Sequence, residues 1–150
     1  MNDQDFYQDI TRFNRMYKLH ANEQPTLLGP ERVGHFHAIL AEEVGEGLDL
    51  MKNYAAAQVD AEGNLSEDQR LALLTEMGDW LGDIVVYCAS EAKRWGLPLN
   101  KILGVIMESN FSKLGADGQP IYDDRGKVMK GPGYWKPEPR IRELIAAPLD

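Results

Sequence analysis

The chain has 150 residues, enough for one domain around one core, and its balance of 43% hydrophobic to 27% charged residues is ordinary for a globular protein. A formal net charge of −8 excludes a general nucleic-acid binder, and no apolar run is long enough to span a membrane. The single cysteine, Cys88, excludes an intrachain disulfide framework and, with an acidic N-terminus unlike a secretory signal, fits a reducing cytoplasm.

Residues 3–20 carry apolar side chains at helical spacing (Phe6, Ile10, Phe13, Tyr17, Leu19), which predicts an amphipathic helix. A loop follows, broken by Pro25, Gly29 and Pro30, and Pro30 suits the first turn of a second helix over 30–57. "DAEGNLSED" is the next loop. It is a poor calcium loop, because its glycine is misplaced and no closing glutamate follows. Ser66 and Gln69 make a capping box that starts a third helix over 66–95. Gly96 ends that helix. Pro98 begins a fourth, running to Leu114 with Gly115 as its stop.

Beyond Gly115 the helical period is lost. "PIY" and "KVM" around the turn "DDRG" predict a small hairpin or structured loop, and "RIRELIAAPLD" a last helical turn or two. The whole reads as one domain over 1–150: an all-α four-helix bundle with a small non-helical segment near its C-terminus.

Two helices carry acids where a core helix wants leucines. With Glu76 at 0° on a wheel of about 100° per residue, Asp79 falls near 300° and Asp83 near 340°. Met77, Leu81, Ile84 and Cys88 form a separate apolar stripe at about 80–140°, so Cys88 is read as a core residue. The second helix repeats the arrangement with Glu42, Glu43 and Glu46. Glu43 and Glu46, like Glu76 and Asp79, are three apart and share a face. Glycines (Gly45, Gly47, Gly78, Gly82) stand beside both sets, where they would let a helix or a ligand come close.

A solvated acidic face is the simplest account of one such pair. Two pairs on adjacent helices, with few basic partners at i±4, instead suit a hard divalent cation, and oxygen-only ligands favour magnesium or manganese over zinc. His35 and His37, two apart, point to different sides of a helix and are read as packing or surface residues. No Gly-rich phosphate loop is present, so P-loop chemistry is not expected.

Glu43-x-x-Glu46, a gap of about thirty residues, and Glu76-x-x-Asp79 resemble the ExxE…ExxD signature of the all-α nucleoside triphosphate pyrophosphohydrolases, which include MazG-like and phosphoribosyl-ATP pyrophosphohydrolase-like enzymes. "ESNFSKLGADGQPIYDDRGKVMKGPGYWKPE" is similar to a segment of one branch of that superfamily. The resemblance implies a homodimer or a dimer of dimers, with magnesium (or manganese in its place) held by Glu43, Glu46, Glu76 and Asp79. It also implies hydrolysis of a nucleotide between the α- and β-phosphates to a monophosphate and pyrophosphate. Glu42 and Asp83 lie outside the minimal motif, each a candidate for the general base or a second-metal ligand.

Asn110 and Lys113 in "SNFSK", with Lys127 and Lys130 after the "DDRG" turn, concentrate positive charge in an acidic chain. They are expected to bind the phosphates as part of a closing lid. Base selectivity has several candidates: Phe13, Asn14, Tyr17, Trp80 and Tyr87. The competing readings are a phosphoribosyl-ATP pyrophosphohydrolase of histidine synthesis and a non-catalytic helical interaction protein whose acidic stripe meets a basic partner.

Overall fold

The structure, a computed structural model, describes residues 3–147. It is all-α: α1 (Asp3–Met16), α2 (Pro30–Ala56), α3 (Glu67–Arg94), α4 (Leu99–Phe111) and the short α5 (Glu138–Ala146). α3 is the organising element. It packs along α2 and α1 and touches α4, which carries α5. The end of the C-terminal prediction, residues 148–150, lies outside the described residues. Among the described residues no helix is long and apolar enough to cross a membrane.

The start of α3 follows from its capping box. Ser66 Oγ accepts the Gln69 N–H at 3.2 Å, and Gln69 Oε1 accepts the Ser66 N–H at 3.0 Å. The other end is sealed by the segment between α1 and α2. Asn22 donates from its backbone to Lys93 O and from its side chain to Arg94 O, and the Thr26 N–H reaches Trp95 O. These bonds satisfy carbonyls that a helix end leaves open. Gly96 is needed here: φ is +66°, and a Cβ would collide with the Gln24 backbone carbonyl.

α1 is shorter than its apolar period suggests. Lys18 turns left-handed (φ 56°), and the Leu19 N–H returns to Asn14 O, so Tyr17 and Leu19 lie outside the helix. Asn14, fully buried, staples α1 to α3. Its amide donates to Ser90 O and His20 O, and Ser90 Oγ donates to Asn14 Oδ1 at 2.6 Å. With Ile10, Ala89 and Ala92 it forms the closed part of the interior.

α4 also ends early, at Phe111, and Lys113 lies beyond it in a turn. The returning chain takes over the helix end. The Gly131 N–H donates to Lys113 O, the Trp135 N–H to Ser112 Oγ, and Ser109 Oγ to Trp135 O. The expected hairpin is reduced to one antiparallel bridge, Tyr122 to Val128. The loop read as a poor calcium site closes the same way, with a bridge from Val59 to Leu65. In both loops one aspartate does the closing. Asp60 Oδ1 accepts the N–H groups of Glu62 and Asn64, Asp123 Oδ1 accepts those of Arg125 and Lys127, and Gly63 and Gly126 supply the positive φ. Both aspartates are thus engaged in holding turns.

Candidate active site

The two acidic helices pack against each other, and their acids meet along one seam. Glu46, Glu76, Asp79 and Asp83 line a cleft of about 320 Å³, together with Asp49, Leu50, Asn53 and Trp80. Glu43 lies beside them and is 8% exposed, the least exposed of these acids. Trp80 fixes its position: the indole Nε1–H of α3 donates to Glu43 O of α2 at 2.8 Å. The ring lies so close to α2 that a Cβ at Gly47 would sit 2.5 Å from Trp80 Cζ2. Gly47 therefore permits the close approach expected of it. Gly45, Gly78 and Gly82 face open space within the chain.

The electrostatics of Glu43 are unusual. Its Oε1 is buried without a hydrogen-bond partner. Burial pushes the Glu43 carboxyl above its ordinary range, and the charges of Glu46, Asp83 and Asp79 push it the same way. Among the described residues no hydrogen-bond donor offsets them. Glu76 is partly tied, accepting from Asn53 Nδ2 at 3.3 Å, and Asp49 pairs with Lys52 at 3.1 Å.

Among the described residues no group of three Asp, Glu, His or Cys side chains is placed so that it could hold a metal ion by itself. The arrangement is an open row of carboxylates with one buried, unpartnered oxygen. That donor set fits magnesium, which keeps much of its water and is usually held by one or two carboxylates plus substrate phosphates.

The other predicted site residues separate. Asp83 lines the cleft, whereas Glu42 stands exposed on α2 and does not. Asn110, Lys113, Lys127 and Lys130 lie on or after α4 and line no part of the cleft. The Lys127 backbone N–H is held by Asp123, and Lys130 Nζ lies 4.7 Å from the centre of the Tyr134 ring. Sequence reasoning missed Asp49 and Asn53. They continue the spacing of Glu46 down the same face of α2, which is the signal that finds them. Of the base-selectivity candidates, Asn14 is consumed by the α1–α3 staple, and Tyr17 is an exposed partner of Phe13, with ring centres 4.8 Å apart. His35 and His37 are exposed on α2, and Cys88 is half-buried with its thiol pushed up by burial, so neither expectation places chemistry there.

No family model and no curated protein matches the chain. Among solved structures, a crystal structure from Exiguobacterium sp. 255-15, named "putative NTP pyrophosphohydrolase", is similar to it. The identity is 25%, the match covers 93% of each chain, and the TM-score is 0.48.

Proposed function

We propose that the protein hydrolyses a nucleoside triphosphate between its α- and β-phosphates, releasing a nucleoside monophosphate and pyrophosphate, with magnesium held by Glu43, Glu46, Glu76 and Asp79. One observation carries the reading: a buried, unpartnered glutamate oxygen among carboxylates of like charge. A fold does not keep such a group for stability, since removing it relieves both desolvation and repulsion. A cation gives it a purpose.

Magnesium, when bound, neutralises the carboxylates toward a polyphosphate and polarises the phosphoryl oxygens. The chain's own residues do the rest. Trp80 and Gly47 hold α2 and α3 together at Glu43, so the carboxylates are placed before substrate arrives. Asp83 is the better placed of the two base candidates, because it lines the cleft and Glu42 does not. In this reading Asp83 accepts a proton from the attacking water, whose oxygen bonds to the α-phosphorus as the bond from that phosphorus to the bridging oxygen breaks and its electron pair leaves with pyrophosphate. Lys113, Lys127 and Lys130 meet the departing pyrophosphate only if their segment closes over the cleft or a second subunit supplies it.

Self-association belongs to the same proposal. A second cavity, of about 590 Å³, shares Trp80 and Leu50 with the cleft and is lined by residues of α2 and α3 such as Met51, Tyr54, Leu74 and Met77. Leu74 is 54% exposed and Tyr54 62%. Contiguous apolar surface of this kind is what a twofold partner covers.

The test is a panel of nucleoside triphosphates assayed with magnesium, with separate detection of pyrophosphate and orthophosphate. Pyrophosphate release that depends on the metal is expected. Orthophosphate as the sole product from every substrate overturns the proposal.

A further inference from the structure

Asp83 lies on two walls. Besides the acid cleft it lines a neighbouring cavity of about 320 Å³, farther along the α2–α3 seam toward the end of α3. That cavity is small but within the range of small-ligand sites, ~300–1,000 Å³. Its sides are aromatic and aliphatic, with Phe13 from α1, Phe36 from α2 and Tyr87 from α3 among them. Its far end carries charge: Arg32, Glu91 and Arg94.

The polar groups at that end are unevenly used. Glu91 is saturated: it accepts from Arg32 Nε at 3.0 Å, from Arg32 Nη2 at close range and from Trp95 Nε1 at 2.7 Å. The Ser90 hydroxyl donates to Asn14. Arg94 is left over. Its guanidinium has one loose contact, Nε to Glu91 Oε2 at 3.8 Å, and among the described residues its side chain makes no hydrogen bond. Yet that side chain is only 17% exposed. A guanidinium carries five N–H donors, and none of those of Arg94 is sealed off from solvent, so they stay open to an acceptor that enters the cavity. The cavity thus offers surplus donors between aromatic walls.

A nucleotide has two chemically different ends. The reading above lays the phosphates over the acid cleft, and this inference rests on it. We infer that the adjoining cavity takes the nucleobase, with Arg94 donating to a carbonyl oxygen on the edge of the base and the aromatic side chains flanking its ring. A phosphate is a poorer occupant, because the walls are mostly apolar and Asp83 stands between the cavity and the cleft. Uracil, thymine, cytosine and guanine carry a ring carbonyl; adenine carries none. Adenine offers an arginine only ring nitrogens, so the site is expected to favour the carbonyl-bearing bases over it.

Comparing kcat/KM for UTP, CTP, GTP and ATP with magnesium tests this. The carbonyl-bearing bases are expected to exceed ATP by about 10–100-fold, the usual worth of a charged contact to a base edge. Arg94→Gln should narrow that ratio to within about threefold, and Arg94→Lys should restore part of it. Tyr87→Leu leaves the ion network untouched and should raise KM for every base. Equal kcat/KM for all four bases in the unaltered protein overturns the inference while leaving the hydrolysis reading intact. Should no triphosphate be hydrolysed, that reading falls by itself. The cavity is then judged by ligand-detected NMR with uridine and adenosine monophosphates. Uridine-selective binding lost in Arg94→Gln supports it, and equal or absent binding overturns it.

Discussion

Two glutamates lie buried along the α2–α3 seam to almost the same degree. Glu43 is 8% exposed and Glu91 6%. Their surroundings are opposite. Burial pushes the Glu91 carboxyl up, but hydrogen bonds from Arg32 and Trp95 and the charges of Arg32 and Arg94 outweigh it and hold the carboxyl below its ordinary range. Glu43 has burial and three neighbouring acids, all acting upward. Burial alone therefore does not classify a charge. A paired one ties the fold together, and the unpaired one is where the function proposed above puts the cation.

The difference is open to direct attack. The largest effect is expected at the paired site: Glu91→Ala strands Arg32 and should destabilise the protein by about 3–5 kcal/mol, read from denaturant unfolding. At the unpaired site the loss falls on activity. Glu43→Gln should reduce kcat for triphosphate cleavage on the order of 10²–10³-fold, as expected when transition-state charge stabilisation is removed. Glu46→Gln, Glu76→Gln and Asp79→Asn should act in the same direction. If Glu43→Gln instead unfolded the metal-free protein, the two glutamates would be alike and the contrast would collapse.

A smaller effect carries the sign of the contrast. In metal-free buffer near pH 7, Glu43→Gln should stabilise the fold, by up to about 1 kcal/mol. The folded-state carboxyl holds its proton to higher pH than the unfolded one, so stability is lost as pH rises above the ordinary glutamate range. The gain from Glu43→Gln should therefore vanish as pH falls below that range. Glu91 runs the other way: its contribution is present above the ordinary range and lost as pH falls through the lowered folded value. Melting curves of the two single variants from pH 3 to pH 8 should diverge accordingly.

The smallest effect concerns the glycines. Gly82→Ala meets open space in the single chain and should add about 0.5–1 kcal/mol of helix stability. Gly47→Ala should be destabilising, because the Trp80 ring fills the position. If Gly82→Ala lowered the melting temperature at high protein concentration only, a second copy would be packed against that face.

The helices were legible where local chemistry sets them. Pro30 and the Ser66–Gln69 box put the starts of α2 and α3 within a residue of their positions. α1 and α4 end earlier than their apolar period suggests, because neither stop is marked by a residue type. Lys18 adopts a left-handed turn with no glycine to announce it, and the end of α4 is taken over by Gly131 and Trp135, about twenty residues downstream. The carboxylate row was legible because three-residue spacing fixes a shared face. Depth was not. A helical wheel gives direction, while the burial of Glu43 beside exposed Glu42 and Glu46 depends on Trp80 docking from another helix. The pairing of Arg32 with Glu91, fifty-nine positions apart, left no trace in spacing at all.

Trp80 has an optical consequence. Its indole is pinned to Glu43 O, and it lines both the acid cleft and the larger apolar cavity. The chain's two other tryptophans, Trp95 and Trp135, stand apart from both: one donates to Glu91, and the other lies under the Arg140 guanidinium at 3.7 Å. With those two replaced by phenylalanine, the remaining fluorophore should register cations entering the cleft and, at the larger cavity, protein concentration. Magnesium and dilution then become two titrations read through one emission band.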